Sequence, residues 1–192
     1  MTRITNPKKA LETGSAIYIR LPKAEDCDEF IKLNRASIRF YRGLTSPILT
    51  HKQFATYLSR CECDDFVGLL VCRKNDDAIV GSINLSQICR GGFKSAYLGY
   101  QVGAPFAGEG YMTEAIHLAL RYAFGKMKLH RLEANIQAKN AASIALVKRA
   151  GFRREGYSRR YLKIGGRWRD HERWAIIAED WRAVKGGVTT AI

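Results

Sequence analysis

The feature that most constrains the fold is a glycine-rich loop between a strand and a helix, within residues 97–115 (YLGYQVGAPFAGEGYMTEA). A strand-like run covers residues 97–102, and apolar residues after the loop recur at the spacing of one helix face. These apolar residues are Met112, Ala115, Ile116, Ala119, Leu120, Ala123 and Phe124. The chain must therefore pass from this strand through the loop directly into a helix.

The loop lacks the Ser, Thr, Asp or Asn that usually caps the start of a helix. It reads Ala107, Gly108, Glu109, Gly110. The uncapped N–H groups and the positive end of the helix dipole favour an anion, typically a phosphate, and glycine lets the backbone come close to it. The pattern indicates a diphosphate site, with a plain tight turn as the alternative.

Two familiar phosphate-binding loops fit the sequence poorly. A P-loop requires Gly-Lys-Ser/Thr, whereas Tyr111 and Met112 follow Gly110. A dinucleotide-binding loop requires a third glycine where Thr113 stands and an acidic residue at the end of the next strand. Glu133 lies within that strand and not at its end, so this interpretation is weak.

Composition is ordinary for one globular domain: 192 residues, 46% hydrophobic and 26% charged. No apolar run is long enough to span a membrane, and the N-terminus lacks the apolar core of a signal peptide. We therefore expect a cytoplasmic protein without a membrane partner.

The 5 cysteines form no C-x-x-C pair, so the sequence predicts neither a disulfide framework nor a zinc site or other metal.

The net charge of +14 is large for this length. Such a field attracts nucleic acid or acidic surfaces, although a merely solvated surface is the alternative. The cations cluster near the C-terminal end, as Lys148, Arg149, Arg153, Arg154, Arg159, Arg160, Lys163, Arg167, Arg169 and Arg173. One end of the molecule should be strongly positive.

The rest of the pattern predicts one mixed α/β domain in the order β-α-α-β-β-β-α-β-α-β-β. Strands are predicted over 15–21, 66–73, 78–86, 94–102, 131–137, 152–164 and 168–178, and helices over 23–37, 51–59 and 110–126. A further helix begins at the N-cap Asn140 and stops at Gly151. Residues 37–50 are predicted to be irregular, and Gly165 and Gly166 to form a hairpin turn.

A strand ending at 99–102, Pro105, the loop at 108–110, and a helix between Asn140 and Gly151 together resemble the GNAT N-acetyltransferases. The stretches ICRGGFKSAYLGY, LHRLEANIQAKN and EGY followed by GGRWRDH are similar to the Rim-type ribosomal-protein-alanine N-acetyltransferases. The resemblance extends over about residues 15–182. It implies a single-domain GNAT (acyl-CoA N-acyltransferase) fold at 15–182, with a mixed, mostly antiparallel sheet flanked by helices, between an N-terminal leader at 1–14 and a C-terminal tail at 183–192.

The resemblance implies acetyl-CoA as co-substrate and a primary amine as acceptor, for the Rim-type branch the α-amine of a ribosomal protein. Its phosphate loop corresponds to Gly108, Glu109, Gly110, Tyr111, Met112 and Thr113. The Arg or Gln that the family usually carries before this loop is replaced by Ala107 and Pro105. Because backbone N–H groups do the binding, we expect the site to survive.

Several further residues are implied to contact the co-substrate. Tyr100, Gln101 and Val102 correspond to the segment that pairs with the pantetheine arm, and the Val102 N–H would stabilise the oxyanion. Asn140 corresponds to a second contact with the arm, in addition to its capping role. Ser143 matches a serine near the CoA sulfur that could donate to the leaving thiolate, with completion of the helix cap as the alternative.

A general base is harder to assign, because the Glu of many family members is replaced here by Asn135. A peptide α-amine has a pKa of about 8, so roughly a tenth is already neutral at pH 7. We expect ordered water, held by Asn135 or a backbone carbonyl, to suffice. The Tyr that many members use as an acid is also missing, since Val147 stands in its place.

Asp170 and His171 could recognise the acceptor amine or anchor the last hairpin, and we favour the structural role. Trp168 and Tyr161 are expected in the core or a pocket wall. Two alternatives to ribosomal-protein acetylation stay open: an rRNA-binding ribosome assembly factor that uses the basic face, and a GNAT that acetylates a small amine. The basic surface argues against a small cationic amine.

Overall fold

A computed structural model describes residues 10–187. The strands are β1 (Glu12–Thr13), β2 (Ile17–Arg20), β3 (Phe66–Arg73), β4 (Ile79–Cys89), β5 (Ser95–Val102), β6 (Arg131–Gln137), β7 (Arg153–Ile164) and β8 (Arg167–Ile177). The α-helices are α1 (Cys27–Ala36), α2 (His51–Arg60), α3 (Tyr111–Arg121), α4 (Ala141–Arg149) and α5 (Ala178–Gly187).

The described strands form one sheet in the order β1-β2-β3-β4-β5-β6-β8-β7. Neighbouring strands are antiparallel except β5 and β6, which are parallel. The exception follows from α3, because a parallel neighbour requires a crossover connection. The predicted fold class, a mixed and mostly antiparallel sheet flanked by helices, is confirmed.

Helices pack on both faces of the sheet because successive strand residues point to opposite sides. Ile17 and Ile19 of β2 join the larger core cluster with Ile116 of α3. Tyr18, between them, joins the second cluster with Phe30 of α1. The near-continuous apolar runs of β2 and β3 are thus explained by burial on two sides.

Strands β5 and β6 pair only at their beginnings. Their ladder joins residues from Ser95 to Tyr97 with residues from Arg131 to Glu133, and no pairing is formed after that. The two strands diverge into a V, whose open end lies beside the glycine loop that follows β5. Antiparallel pairing of β5 with β4 continues to Val102, so only the outer edge of β5 is released.

The predicted elements are confirmed with some changes at their boundaries. The helix predicted over 110–126 consists of α3 and a π-helical turn at Tyr122–Lys126, and the strand predicted over 78–86 extends to Cys89. Strand β1 and helix α5 were not predicted. Trp168, expected in the core or a pocket wall, is 60% exposed and lines a surface pocket together with Tyr157 and Asp170. It lies outside the core because the hairpin of β7 and β8 continues past the end of the β6–β8 ladder at His171.

The predicted domain boundaries stay predictions, although two observations bear on them. Strand β1 lies within the predicted leader and pairs with β2 through Glu12 and Thr13. Helix α5 continues to Gly187 within the predicted tail. Residues 1–9 and 188–192 lie outside the described residues.

A buried ion pair fixes the start of α1. The guanidinium of Arg20, at the end of β2, donates to both carboxylate oxygens of Asp26 at 2.7 Å. Asp26 also accepts from the Lys23 backbone N–H at 2.7 Å. The side chains of Arg20 and Asp26 are only 4% and 5% exposed, so each charge depends on the other for its solvation.

Replacing Asp26 by Ala should lower the free energy of unfolding by about 3–5 kcal/mol, because the Arg20 charge would be left buried and unpaired. Asp28→Ala is the matched control, since Asp28 pairs with His51 and both side chains are mostly exposed. This substitution should lower the free energy of unfolding by at most about 1 kcal/mol. Guanidinium unfolding curves measure both. Equal losses in the two variants would contradict the assignment.

Candidate active site

The outer edge of β5 presents free backbone groups to the open V. The Gly103 N–H donates to the Val80 carbonyl at 2.8 Å, so residue 103 faces β4. Residues in an antiparallel pair alternate between facing the neighbour and facing away. Val102 and Tyr100 therefore direct their N–H and C=O groups away from β4, as does Lys94, whose carbonyl accepts from β6.

The loop after β5 leaves its N–H groups unpaired. Gly108 and Gly110 have φ angles of +86° and +81°, which L side chains rarely adopt. Gly110 is the N-cap of α3 and supplies no side-chain cap. Within the described chain, no protein group accepts from the N–H groups of residues 108–113, and the first helical bond is Glu114 to Gly110. Unpaired N–H groups at a helix start are suited to bind an anion.

Helix α4 begins on the other side of the V. The Asn140 Oδ1 accepts from the Ser143 backbone N–H at 3.2 Å, so the predicted N-cap is confirmed. The Tyr100 hydroxyl donates to the Ser143 carbonyl at 3.2 Å, which ties β5 to the first turn of α4. Burial raises the pKa of Tyr100 to about 12. Tyr100 is therefore a proton donor across the neutral pH range.

A cavity of about 250 Å³ occupies the open V on the face of the sheet away from α3. Neutral polar side chains of three neighbouring strands share this face by register, namely Ser82, Asn84, Gln101, Asn135 and Gln137. The other lining residues are Leu44, Thr45, Leu98, Gly99, Tyr100, Ile136, Asn140, Ser143, Leu162, Ile164 and His171. The described lining contains no carboxylate.

A second, mainly apolar cavity of about 230 Å³ adjoins the first. Its lining includes Phe40, Tyr41, Val102, Met112 and Leu146. Both cavities are lined by Leu44, Thr45, Tyr100, Gln101, Asn140 and Ser143. A ligand that enters along the second cavity and one that enters along the first would meet at these shared residues.

Residues 37–50, predicted to be irregular, cover this junction and are held by hydrogen bonds. The Gln137 side-chain amide donates to the carbonyls of Gly43 and Leu44 at 2.9 and 3.2 Å. The Ser37 hydroxyl accepts from the Ala104 N–H at 2.8 Å. Sequence reasoning did not single out Gln137 or Ser37, because only the tertiary fold brings them to this segment.

The Gln101 side chain is fixed from the side of α1. Its amide donates to the Asn34 Oδ1 at 3.0 Å, and Asn34 in turn donates to the Ile48 carbonyl at 3.0 Å. Asn34 is completely buried. This chain of hydrogen bonds joins β5, α1 and residues 37–50, which are called the covering segment below.

Asn135 lies on β6 with its Oδ1 buried and without a hydrogen-bond partner among the described residues. A buried carbonyl oxygen without a donor is costly, and such groups usually bind an ordered water or a ligand. Asn135 lines the first cavity, although its Oδ1 itself is fully buried. A rotation of the Asn135 side chain towards the cavity would make this acceptor available to a water or an N–H group.

His171 of β8 also lines this cavity, although the sequence favoured a structural role for it. It lies opposite Gln137 in the β6–β8 register and is 1% exposed. Its Nδ1 lies 2.9 Å from the Arg169 carbonyl. Burial lowers the pKa of His171, so the imidazole is neutral at pH 7. The D-H pair in the sequence was the only signal for this position.

Other predicted positions lie at the edge of the arrangement or outside it. Glu109 is exposed in the loop, so only its backbone faces the anion site. Val147, where many relatives have a tyrosine, is fully buried in the core. Within residues 10–187, no cluster of three His, Cys, Asp or Glu side chains could hold a metal ion, and no helix is long and apolar enough to cross a membrane.

Comparison with known proteins places this geometry in a family. The model of the GNAT acetyltransferase domain matches residues 16–153. The probable N-acetyltransferase YjcK of Bacillus subtilis (strain 168) is 33% identical over 175 residues, which cover 87% of this chain and 97% of YjcK.

Two further similarities concern ribosomal-protein acetyltransferases and CoA. The [ribosomal protein uS5]-alanine N-acetyltransferase of Escherichia coli (strain K12) is 41% identical over 107 residues, which cover 56% of this chain but only 55% of that protein. The structure of Mycobacterium smegmatis RimJ in complex with CoA-disulfide superposes with a TM-score of 0.78 at 25% identity, covering 89% of each chain.

Proposed function

The chain belongs to the GNAT acetyltransferase family, and we propose that it acetylates the N-terminal α-amine of a ribosomal protein, with alanine as the first residue. That it is an acetyl-CoA-dependent N-acetyltransferase follows from the family. The ribosomal acceptor is supported by the similarity to the uS5-alanine enzyme. Such an acceptor implies a reaction in the cytoplasm.

The observation that carries the choice of acceptor is the neutral, amide-rich first cavity. A polyamine or aminoglycoside carries several positive charges, which a buried site must balance with carboxylates. The described lining contains none. Asn and Gln side chains can instead hydrogen-bond the peptide groups that follow a protein N-terminus. This lining therefore favours a peptide acceptor over a small polycation.

The free backbone groups fit an acetyl-CoA molecule, and we assign its parts accordingly. The N–H groups of residues 108–113 bind the diphosphate. Tyr100, Gln101 and Val102 pair with the pantetheine arm along the free edge of β5, and Asn140 contacts the arm from α4. When bound, the co-substrate supplies an activated thioester at the junction of the two cavities.

The chain's own groups then act on the transfer. The Val102 N–H donates to the carbonyl oxygen as negative charge develops, and loss of such a donor in other enzymes costs about 3 kcal/mol. Ser143 donates to the thiolate that leaves. Asn135 holds an ordered water beside the attacking amine through its unpaired Oδ1. The amine attacks directly, without a covalent enzyme intermediate.

The basic hairpin, formed by β7 and β8 (residues 153–177), favours RNA as a further partner. Within the described chain, its cations Arg159, Arg160, Lys163 and Arg167 have no carboxylate within ion-pair distance. Trp168 is exposed beside them and could stack on a base. Leu162 and Ile164 of the same hairpin line the first cavity. An rRNA contact would thus place an acceptor near the site. A ribosome assembly role without catalysis is the second candidate function.

Gly110→Ala should weaken acetyl-CoA binding at least about 10-fold, because a Cβ disfavours the left-handed conformation that presents the loop N–H groups. Gly91→Ala is the matched control, since Gly91 has a φ of +68° and equally open surroundings in the distant turn between β4 and β5. Isothermal titration calorimetry measures both dissociation constants. Unchanged binding in Gly110→Ala would refute the loop assignment.

Incubation of unacetylated small-subunit ribosomal proteins with the enzyme and acetyl-CoA should add one acetyl group to a single protein, at its N-terminal residue. Intact-mass analysis and peptide mapping measure this. If no ribosomal protein gains mass while acetyl-CoA still binds, the proposed acceptor is wrong. A screen of small amines would then identify the acceptor class.

Arg167→Gln should weaken binding to ribosomal subunits and reduce the slope of log affinity against log salt by about 0.7–0.9, because one phosphate contact is lost. Arg90→Gln removes the same charge from an exposed position at the end of β4 and should leave the slope unchanged. Sedimentation of the protein with subunits at several salt concentrations gives both slopes. Equal effects would show that net charge alone attracts the protein.

A further inference from the structure

We propose that His171 is the general base of acetyl transfer and takes the proton of the attacking amine through the water held by Asn135. This inference rests on the proposed function only in requiring a primary amine as acceptor. It assigns a side-chain base where the sequence suggested water alone.

The hydrogen bond of His171 determines which ring nitrogen is available. A carbonyl can only accept, so the contact with the Arg169 carbonyl requires the proton to be on Nδ1. The lone pair is then on Nε2. No described protein group donates to Nε2, and this atom is not among the fully buried atoms that lack a partner. Since His171 lines the first cavity, Nε2 is the basic atom available to that space.

Few other groups at the first cavity could act as the general base. Among the described residues that line this cavity, Tyr100 and His171 are the titratable ones, and burial raises the pKa of Tyr100 to about 12. Glu133 lies in the closed part of the V, where it pairs with Arg131 at 2.8 Å. His171 alone combines a position at the cavity wall with a neutral, basic form at pH 7.

Charged and titratable groups surround His171, and Arg169, two residues earlier on β8, has its Nε buried without a partner among the described residues. Tyr161 of β7 contacts the ring edge-on, and β6 opposes it with the neutral Gln137. On β8 itself, Asp170 is held by the Tyr157 hydroxyl and the Arg160 N–H, and Arg173 lies over Gly156. The covering segment contributes the neutral Leu44 and Thr45. Burial is the largest cause of the lowered pKa of His171, and it outweighs the Arg169 carbonyl and the Asp170 carboxylate, which both raise that pKa.

Asn135 and His171 are placed to act together. Asn135 and Gln137 are two residues apart on β6 and share a face, and His171 lies opposite Gln137. A water bound to the Asn135 side chain would therefore lie on the face of the sheet that carries the His171 imidazole.

The proton balance closes without another reactant. As the amine nitrogen bonds to the acetyl carbon and the carbon–sulfur bond breaks, the nitrogen loses a proton to the water, which passes one to Nε2. The Ser143 hydroxyl donates a hydrogen bond to the leaving thiolate, which takes its proton from solvent. The imidazolium then returns its proton to solvent.

His171→Asn tests the proposal, because the Asn amide can still donate to the Arg169 carbonyl but cannot accept a proton. We expect kcat/KM to fall about 100-fold or more, while the dissociation constant of acetyl-CoA stays within 2-fold. His51→Asn is the control, since the His51 side chain is 73% exposed on α2, and it should keep full activity. Retention of kcat/KM within about 3-fold in His171→Asn would overturn the proposal.

The pH profile of the unsubstituted protein gives a second test that does not depend on a variant's folding. With an alanine-starting peptide, log kcat/KM should rise with slope 1 below the amine pKa of about 8, and it should steepen to slope 2 at the lower pH where His171 protonates, because burial lowers the pKa of His171. With a small amine of pKa about 10, the first limb should move and the second should not. A profile that follows the amine alone would overturn the proposal.

The two acceptors also separate this inference from the proposed function. If only the small amine is acetylated, the ribosomal acceptor is wrong. The role of His171 is then tested by measuring kcat/KM and its pH profile with that amine. If the peptide is acetylated and His171→Asn keeps its activity and profile, the acceptor is right and His171 is not the base.

Discussion

Strands β5 and β6 stop pairing after Tyr97 and Glu133, and the site exists because of that separation. Had the ladder continued, the outer N–H and C=O groups of β5 would be satisfied within the sheet, and no space would remain for either cavity. The loop and α3 extend the same principle, since their first N–H groups have no protein partner. Binding capacity here comes from backbone groups that the fold leaves unsatisfied.

A site built from backbone donors depends on conformation more than on side-chain identity. This explains why Ala107 and Pro105 can replace the polar residues usual in the family without removing the loop's donors. The side chains that matter hold the backbone and the cover in place. Gln137, Asn34 and Ser37 each hydrogen-bond across elements that are distant in sequence, and they fix residues 37–50 over the junction.

The sequence predicted the parts that local chemistry determines. Apolar spacing predicted the elements, an Asn at a helix start predicted the cap, and glycines without a capping residue predicted a loop whose N–H groups have no protein partner. Residues whose surroundings depend on long-range register were not predictable. His171 is in the cavity because β8 pairs with β6 opposite Gln137, and Trp168 is exposed because its hairpin continues past the end of that pairing. Strand β1 has only two residues, and the sequence of α5 shows no clear apolar periodicity. Neither element could therefore be predicted from the sequence alone.

The free edge of β5 is also a place where another chain could pair with the sheet. An unpaired strand edge is a template for association with another chain, and a ligand that occupies the edge both blocks it and favours the folded state by mass action. At a concentration about 100 times its dissociation constant, such a ligand adds about 2.7 kcal/mol of stability. If acetyl-CoA binds along this edge as proposed, its concentration in the cell would influence how long the enzyme resists aggregation and proteolysis, in addition to its catalytic rate.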